Sequence, residues 1–255
     1  MNSNNSRVLV VTGGSRGIGA ATSLLAAERG YAVVVNYAGN VEAAEAVVSR
    51  IQSAGGTAVA VRGDVAIPED VEHIFAAADR LGTLGGLVNN AGIIGRTARV
   101  EDMDVARINR ILAVNVTGSF LCAIAAVKRM STKHGGQGGG IVNLTSGASK
   151  LGAANNYVDY AAAKGAIDTF TIGLALEVAG EGIRVNAVRP GIIDTEIHAS
   201  GGAPDRAAQM APQLPIPRAG TSDEVAKAIL WLLSDEASYT TGTTIAVTGG
   251  RAILP

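Results

Sequence analysis

The chain has 255 residues, a formal net charge of −1, 47% hydrophobic residues and a single cysteine, Cys122. That charge gives no electrostatic grip on nucleic acid or an anionic membrane, and one cysteine excludes an intramolecular disulfide. No composition break divides the sequence, so residues 7–255 are expected to form a single domain behind a disordered polar tail at residues 1–6.

The tail lacks the apolar stretch of a signal peptide, and no uninterrupted apolar run reaches the ~18 residues of a membrane span. A soluble, cytoplasmic protein is expected. The first element is an apolar strand, Val8-Leu9-Val10-Val11, followed at once by Thr12-Gly13-Gly14-Ser15-Arg16-Gly17-Ile18-Gly19 and a helical pattern through Ala21, Leu24 and Leu25. Strand, glycine turn and helix form the context of a dinucleotide-binding fingerprint. Glycines let the backbone approach a pyrophosphate, and the helix N-terminus offers free N–H groups. No Gly-Lys-Ser/Thr follows, which argues against a P-loop. Further strand-like runs at residues 33–35, 58–61, 86–89, 141–144, 184–188 and 244–247 alternate with helical patterns at 42–53, 71–80 and 105–130. This alternation predicts an α/β fold: a doubly wound, seven-stranded parallel sheet with helices on both faces. The glycine-rich residues 135–140 read as a turn between helix and strand.

Tyr160 and Lys164 stand four apart in an alanine-rich helical stretch, which places both side chains on one face. A free tyrosine ionises near pH 10, and an adjacent ammonium is expected to lower that value and make the phenol a useful acid/base. Asn115 lies one turn beyond Ile111 and Leu112, beside the apolar side of its helix, where a buried amide needs partners. Ser146 closes Asn143-Leu144-Thr145-Ser146 just past a strand. It is followed by glycine, but the G-x-S-x-G pattern of a nucleophile elbow is absent. No metal site is expected.

Together these motifs resemble the short-chain dehydrogenase/reductase family from residue 7 to residue 250, closest in appearance to 3-oxoacyl-acyl-carrier-protein reductases and bacterial glucose 1-dehydrogenases. The resemblance implies a Rossmann-like fold and hydride transfer between NADP(H) or NAD(H) and an alcohol or carbonyl substrate. It implies a catalytic tetrad of Asn115, Ser146, Tyr160 and Lys164. Gly13, Ser15, Arg16, Gly17, Ile18 and Gly19 would form the coenzyme turn. Asp64 and Val65 would meet the adenine, Asn90, Ala91 and Gly92 would follow strand four, and Pro190, Gly191, Ile193 and Thr195 would lie beside the nicotinamide. Tyr160 and Lys164 would also touch the coenzyme, the lysine at the ribose. Ser146 would polarise the substrate carbonyl, and Asn115 would hold a water of the proton relay. Ser146 falls about one residue farther from Tyr160 than the family pattern, so the intervening loop is expected to be extended. A homotetramer is implied through the helices at 105–130 and 157–179, with Ala161, Ala162, Ala163, Gly165 and Ala166 small enough for close approach.

The second strand ends Val35-Asn36-Tyr37-Ala38 with no carboxylate to hold a ribose 2′-hydroxyl. NADP(H) is therefore expected to be preferred and NAD(H) possible, with Arg16, assisted by Asn36, at the 2′-phosphate. Residues 195–217, interrupted by Gly201, Gly202 and four prolines, read as a mobile lid with one short helix at 205–211. Arg206 within it and Arg218 just beyond it form no basic cluster, so a small neutral substrate is expected. Two alternatives remain: a non-catalytic nucleotide-binding regulator on the same fold, and a sugar-nucleotide epimerase or dehydratase.

Overall fold

Successive residues of a strand face opposite sides of a sheet, and β1 (Val8–Val11) is apolar on both. Val8 and Val10 enter one buried core, Leu9 and Val11 the other. β2 (Ala32–Tyr37) repeats the pattern, with Val34 on the first side and Val33 and Val35 on the second. Each face therefore needs its own layer of helices. The structure, a computed structural model, describes residues 7–251 without the side chain of residue 198; the tail expected at residues 1–6 lies outside the described residues.

The chain continues through α1 (Gly17–Glu28), which lies between β1 and β2, then α2 (Val41–Ser53), β3 (Ala58–Arg62), α3 (Pro68–Leu81) and β4 (Leu84–Asn89). α4 (Val105–Leu112), α5 (Gly118–Met130), β5 (Gly139–Leu144), α6 (Ala148–Leu151), α7 (Val158–Val178) and β6 (Ile183–Pro190) follow. The chain ends with α8 (Ile197–Ser200), α9 (Arg206–Met210), α10 (Ser222–Leu233) and β7 (Thr244–Val247). All seven strands pair in parallel, in the order β3-β2-β1-β4-β5-β6-β7, as the alternation predicts. Residues of α1, α2 and α10 fill one core, and those of α3, α5 and α7 the other. The strand order reverses between β1 and β4, and such a switch point opens a crevice beyond the carboxyl ends of the strands.

The helical run expected at 105–130 forms, but it is not uniform: Ala113–Thr117 winds as a π turn between α4 and α5. Val105–Met130 is 26 residues long with a mean hydropathy of 1.8 over its most apolar window, enough to cross a membrane by length and composition. Counting uninterrupted apolar residues overlooks this because isolated polar residues break the run. The helix is instead used inside the fold, half buried, against β4, α3 and α7. Cys122 is wholly buried on it, and burial pushes its thiol up to about 12.

Candidate active site

The ends of β1 and β4 are tied together before any ligand is considered. The Thr12 hydroxyl donates to the Val88 carbonyl at 3.2 Å and accepts from the N–H groups of Asn90 and Ala91, each at 3.0 Å. The Asn90 amide returns the contact, donating to the carbonyls of Thr12 and Gly13. Gly13 (φ 60°) and Gly17 (φ 49°) adopt the left-handed backbone that glycine tolerates best. Gly19 packs so closely on Gly13 and Asn90 that no side chain fits there. α1 then begins without a side-chain cap and without an acidic residue in its first turn, leaving its dipole and N–H groups for an anion.

A cleft of about 360 Å³ opens over this turn, lined by Gly13, Ser15, Arg16, Gly17, Ile18 and Asn36. Asp64, Val65, Asn90, Ala91 and Gly92 close its other side, with Thr195 above. The cleft, the uncapped helix terminus and the glycines at 13, 17 and 19 of the turn fit a dinucleotide, with the turn and the N-terminus of α1 at its pyrophosphate. Arg16 is exposed at the rim beside the Tyr37–Ala38 end of β2. Asn36 corrects one expectation. Its side-chain oxygen accepts from the Gly13 N–H at 3.1 Å, and its amide donates to the carbonyls of Val61 and Gly63. With both donors committed, Asn36 braces the glycine turn and is not free to assist Arg16 at a phosphate.

Asp64 lies in the cleft with a neighbour that the sequence does not announce. Arg110 of α4 donates to one carboxylate oxygen at 2.7 Å, and the Ala66 N–H to the other at 3.0 Å. Partial burial raises the Asp64 carboxyl, but these two donors outweigh it and hold the group below its usual value. A carboxylate oxygen has a second lone pair, so capacity to accept another donor remains.

Of the four residues expected to act in catalysis, Ser146, Tyr160 and Lys164 meet in one cleft at the end of β5 and the start of α7, and Asn115 lies behind them. Ser146 follows β5, its oxygen accepting from the Ala148 N–H at 3.1 Å, and it lines the same cleft as Tyr160. Lys164 is buried one turn beyond Tyr160 and donates to the Leu144 carbonyl at 2.7 Å. Its ammonium stands over the Tyr160 ring, 5.7 Å from the centroid. Gly92 makes room for this arrangement: a Cβ there would lie 2.8 Å from the Asn115 oxygen and 3.6 Å from the Lys164 nitrogen. Asn115 sits in the π turn, fully buried and outside both clefts, donating to the carbonyls of Ile93 and Ile111 and accepting from the Ile93 N–H. It pins the loop after β4 to the helix that crosses it. Such π turns are frequent at functional sites.

The electrostatics correct the expected direction of the tyrosine shift. Burial pushes the Tyr160 phenol up to about 12; the nearby Ser146 hydroxyl works against this and Tyr157 adds to it. Burial also brings Lys164 down to about 8, against the pull of Asp168. In this geometry the lysine faces the ring and the Leu144 carbonyl, so desolvation of both groups outweighs their attraction. Tyr160 is thus held in its protonated, proton-donating form.

The segment between Ser146 and Tyr160 holds α6 and carries two left-handed residues that are not glycine, Ala153 (φ 51°) and Asn155 (φ 60°). A second cleft of about 380 Å³ adjoins the first at Ile18, Asn90 and Gly92. Ser146, Tyr160, Lys164, Pro190, Gly191, Ile193 and Thr195 all reach it. Ile193 is fixed by a parallel bridge to Gly220. Residues 195–217 form two short helices, α8 and α9, and a 3-10 turn at Ala211–Gln213, rather than one helix. Their inner side packs Ala207 and Leu214 on Ile192. The cleft also takes in Arg206 of the lid, and two residues that no motif places there, Tyr157 and Arg251. Their spacing has no motif; only the fold assembles them.

A family profile described as enoyl-(acyl carrier protein) reductase matches residues 13–252. The oxidoreductase YgfF of Escherichia coli (strain K12) is 54% identical over 245 residues, covering 96% of this chain and 99% of that protein. The cis-4-hydroxycyclohexanecarboxylate dehydrogenase of Sinomonas cyclohexanicum is 43% identical, covering 96% of each. Among solved structures, a dehydrogenase/reductase from Sinorhizobium meliloti 1021 superposes with a TM-score of 0.88 at 33% identity, covering 97% of this chain and 95% of that one.

Proposed function

The chain belongs to the short-chain dehydrogenase/reductase family, and from that premise we propose that Asn115, Ser146, Tyr160 and Lys164 form its catalytic tetrad. It is an oxidoreductase acting on alcohol or carbonyl groups with a nicotinamide dinucleotide. The observation that carries the proposal is the meeting of the Ser146 and Tyr160 hydroxyls in one cleft, with Lys164 behind them and the coenzyme cleft adjoining.

When bound, the coenzyme supplies or removes the hydride. In the reductive direction Ser146 and Tyr160 donate hydrogen bonds to the substrate carbonyl oxygen, polarising it. As hydride reaches the carbon and the C=O π bond opens, Tyr160 passes its proton to the oxygen and is left as phenolate. Lys164, close by, stabilises that charge and restores the proton through a water relay. Asn115 completes the relay by holding the π turn and the Ile93 loop in place. The sequence runs in reverse for oxidation.

NADP(H) is the preferred coenzyme in this reading, with NAD(H) accepted. Its support is the exposed Arg16 at the mouth of the cleft and the absence of an acidic residue at the end of β2. Asp64 and Val65 flank the adenine, and Pro190, Gly191, Ile193 and Thr195 the nicotinamide end. Residues 195–217 close over the substrate as a mobile lid and exclude water. The molecule works as a single domain, cytoplasmic and homotetrameric. The experiment is a spectrophotometric assay of coenzyme oxidation and reduction over a panel of small carbonyls and alcohols. Turnover that requires Tyr160 supports the reading; coenzyme binding without turnover on any member favours the regulator.

A further inference from the structure

Arg206 and Arg251 reach the same wall of the substrate cleft from separate parts of the chain. Arg206 leaves the first turn of α9 and lays its guanidinium over the Tyr157 ring, 5.2 Å from the centroid; that ring meets the Tyr160 ring edge-on at 5.8 Å. Arg251 comes from the turn after β7, which the Gly249 carbonyl ties to the Ile216 N–H at the base of the lid. Its guanidinium donates to the Met210 sulfur at 3.2 Å, a weak acceptor.

Among the described residues, neither guanidinium has an anionic partner: no carboxylate forms an ion pair with Arg206 or Arg251, and the buried Nε of Arg206 has no hydrogen-bond partner at all. Buried polar atoms are nearly always satisfied, so an orphaned one needs a cause. Burial and the proximity of Arg206 both lower the Arg251 pKa. Two cations gathered at one apolar wall are mutually unfavourable unless an anion joins them. Arg218, just beyond the lid, is already paired with Glu224 at 2.6 Å.

We infer that Arg206 and Arg251 bind a carboxylate on the substrate, at the end remote from the carbon that reacts at Tyr160. The rest of the cleft presents apolar side chains, among them Ile94, Leu151 and Ile192. The ligand class is therefore a small hydroxy or oxo acid with an apolar carbon frame separating its two functional groups. This replaces the neutral substrate expected from the lid sequence, which omits Arg251. The inference rests on the proposed function for the position of the reacting carbon, while its test reads binding alone and so fails or succeeds independently of hydride transfer.

The test is calorimetric titration of the protein, saturated with NADP⁺, with cyclohexanecarboxylate and with its uncharged counterpart cyclohexanecarboxamide. The carboxylate is expected to bind about 10- to 100-fold more tightly, the worth of one charge-assisted hydrogen bond. Arg206→Gln/Arg251→Gln should erase that preference, and Arg206→Lys/Arg251→Lys, which keeps both charges and controls for folding, should retain most of it. Equal binding of the two probes, no binding of the carboxylate, or a preference that survives the double glutamine variant would overturn the inference.

Discussion

Arg107 holds Asp159, the residue before Tyr160, in a two-point ion pair: Nε to one carboxylate oxygen at 2.8 Å and Nη2 to the other at 3.2 Å. The third nitrogen of the guanidinium donates to the Arg96 carbonyl, and Asp159 also accepts from the Tyr160 N–H. The pair is largely buried, with side-chain exposures of 18% and 3%. It joins α4 to the start of α7 and sets where Tyr160 begins its turn of helix.

Arg107→Ala leaves a buried carboxylate unpaired, a change that typically costs about 3–5 kcal/mol. The expected outcome is a loss of stability of about 3 kcal/mol by urea denaturation, and a fall in kcat larger than any change in coenzyme affinity. An unchanged denaturation midpoint would show that the pair does not hold this corner.

Lys164 gives the protein a pH-dependent stability. Its pKa falls from 10.5 to about 8 on folding, so between these values the unfolded chain binds more protons than the folded one. Stability therefore rises with pH through this window, by roughly 3 kcal/mol in all. Below about 8 both states carry the proton and the burial cost is constant. Tyr160, raised from 10 to about 12, acts with the opposite sign only above pH 10. The stability difference between wild type and Lys164→Met should thus shift in favour of wild type from pH 8 to pH 10; a flat difference contradicts a buried, charged lysine.

Much of this arrangement is legible in the sequence, and the parts that are not share a cause. Strands such as β1 and β2 show themselves by apolar runs, and the glycine turn and the Tyr160–Lys164 pair by local spacing. Each is a property of neighbouring residues. What escapes depends on residues far apart: Asn36 is occupied by Gly13, Val61 and Gly63, Asp64 by Arg110, and Arg251 arrives beside Arg206 only when β7 is in place. The direction of the Tyr160 shift escapes the sequence for a related reason: proximity of a lysine can be read from spacing, but the depth of burial that outweighs it cannot. The π turn at Asn115 leaves no mark in an otherwise helical pattern.

With Asn36 committed elsewhere, the preference for NADP(H) rests on Arg16. Arg16→Ala should raise the Michaelis constant for NADPH about tenfold or more, the worth of a charge-assisted contact, and that for NADH much less. Equal effects on the two coenzymes would remove Arg16 from the account.

The outer faces of α5 and α7 leave Phe120, Ile124, Ile172 and Leu176 exposed, the last by 79%. Phe120 stacks on Phe170 with ring centroids 3.8 Å apart beside a shallow groove. Among the small residues singled out between them, Ala162 and Ala166 face outward while Ala161 and Ala163 are buried. Contiguous apolar surface of this kind marks an interaction face. Light scattering at micromolar concentration should give a tetramer, and Leu176→Asp should shift it to smaller species. A monomeric wild type rejects this face as an interface.

The central claim is that Tyr160 donates the proton that accompanies hydride transfer, and Tyr160→Phe tests it most directly. The variant keeps the ring that packs beside Lys164 and Tyr157 and removes only the hydroxyl. Steady-state turnover with NADPH should fall by at least about 10²-fold, as general acid/base catalysis contributes 10²–10⁴-fold, while the coenzyme dissociation constant changes little. A Tyr160→Phe enzyme that retains most of the wild-type kcat would contradict the account.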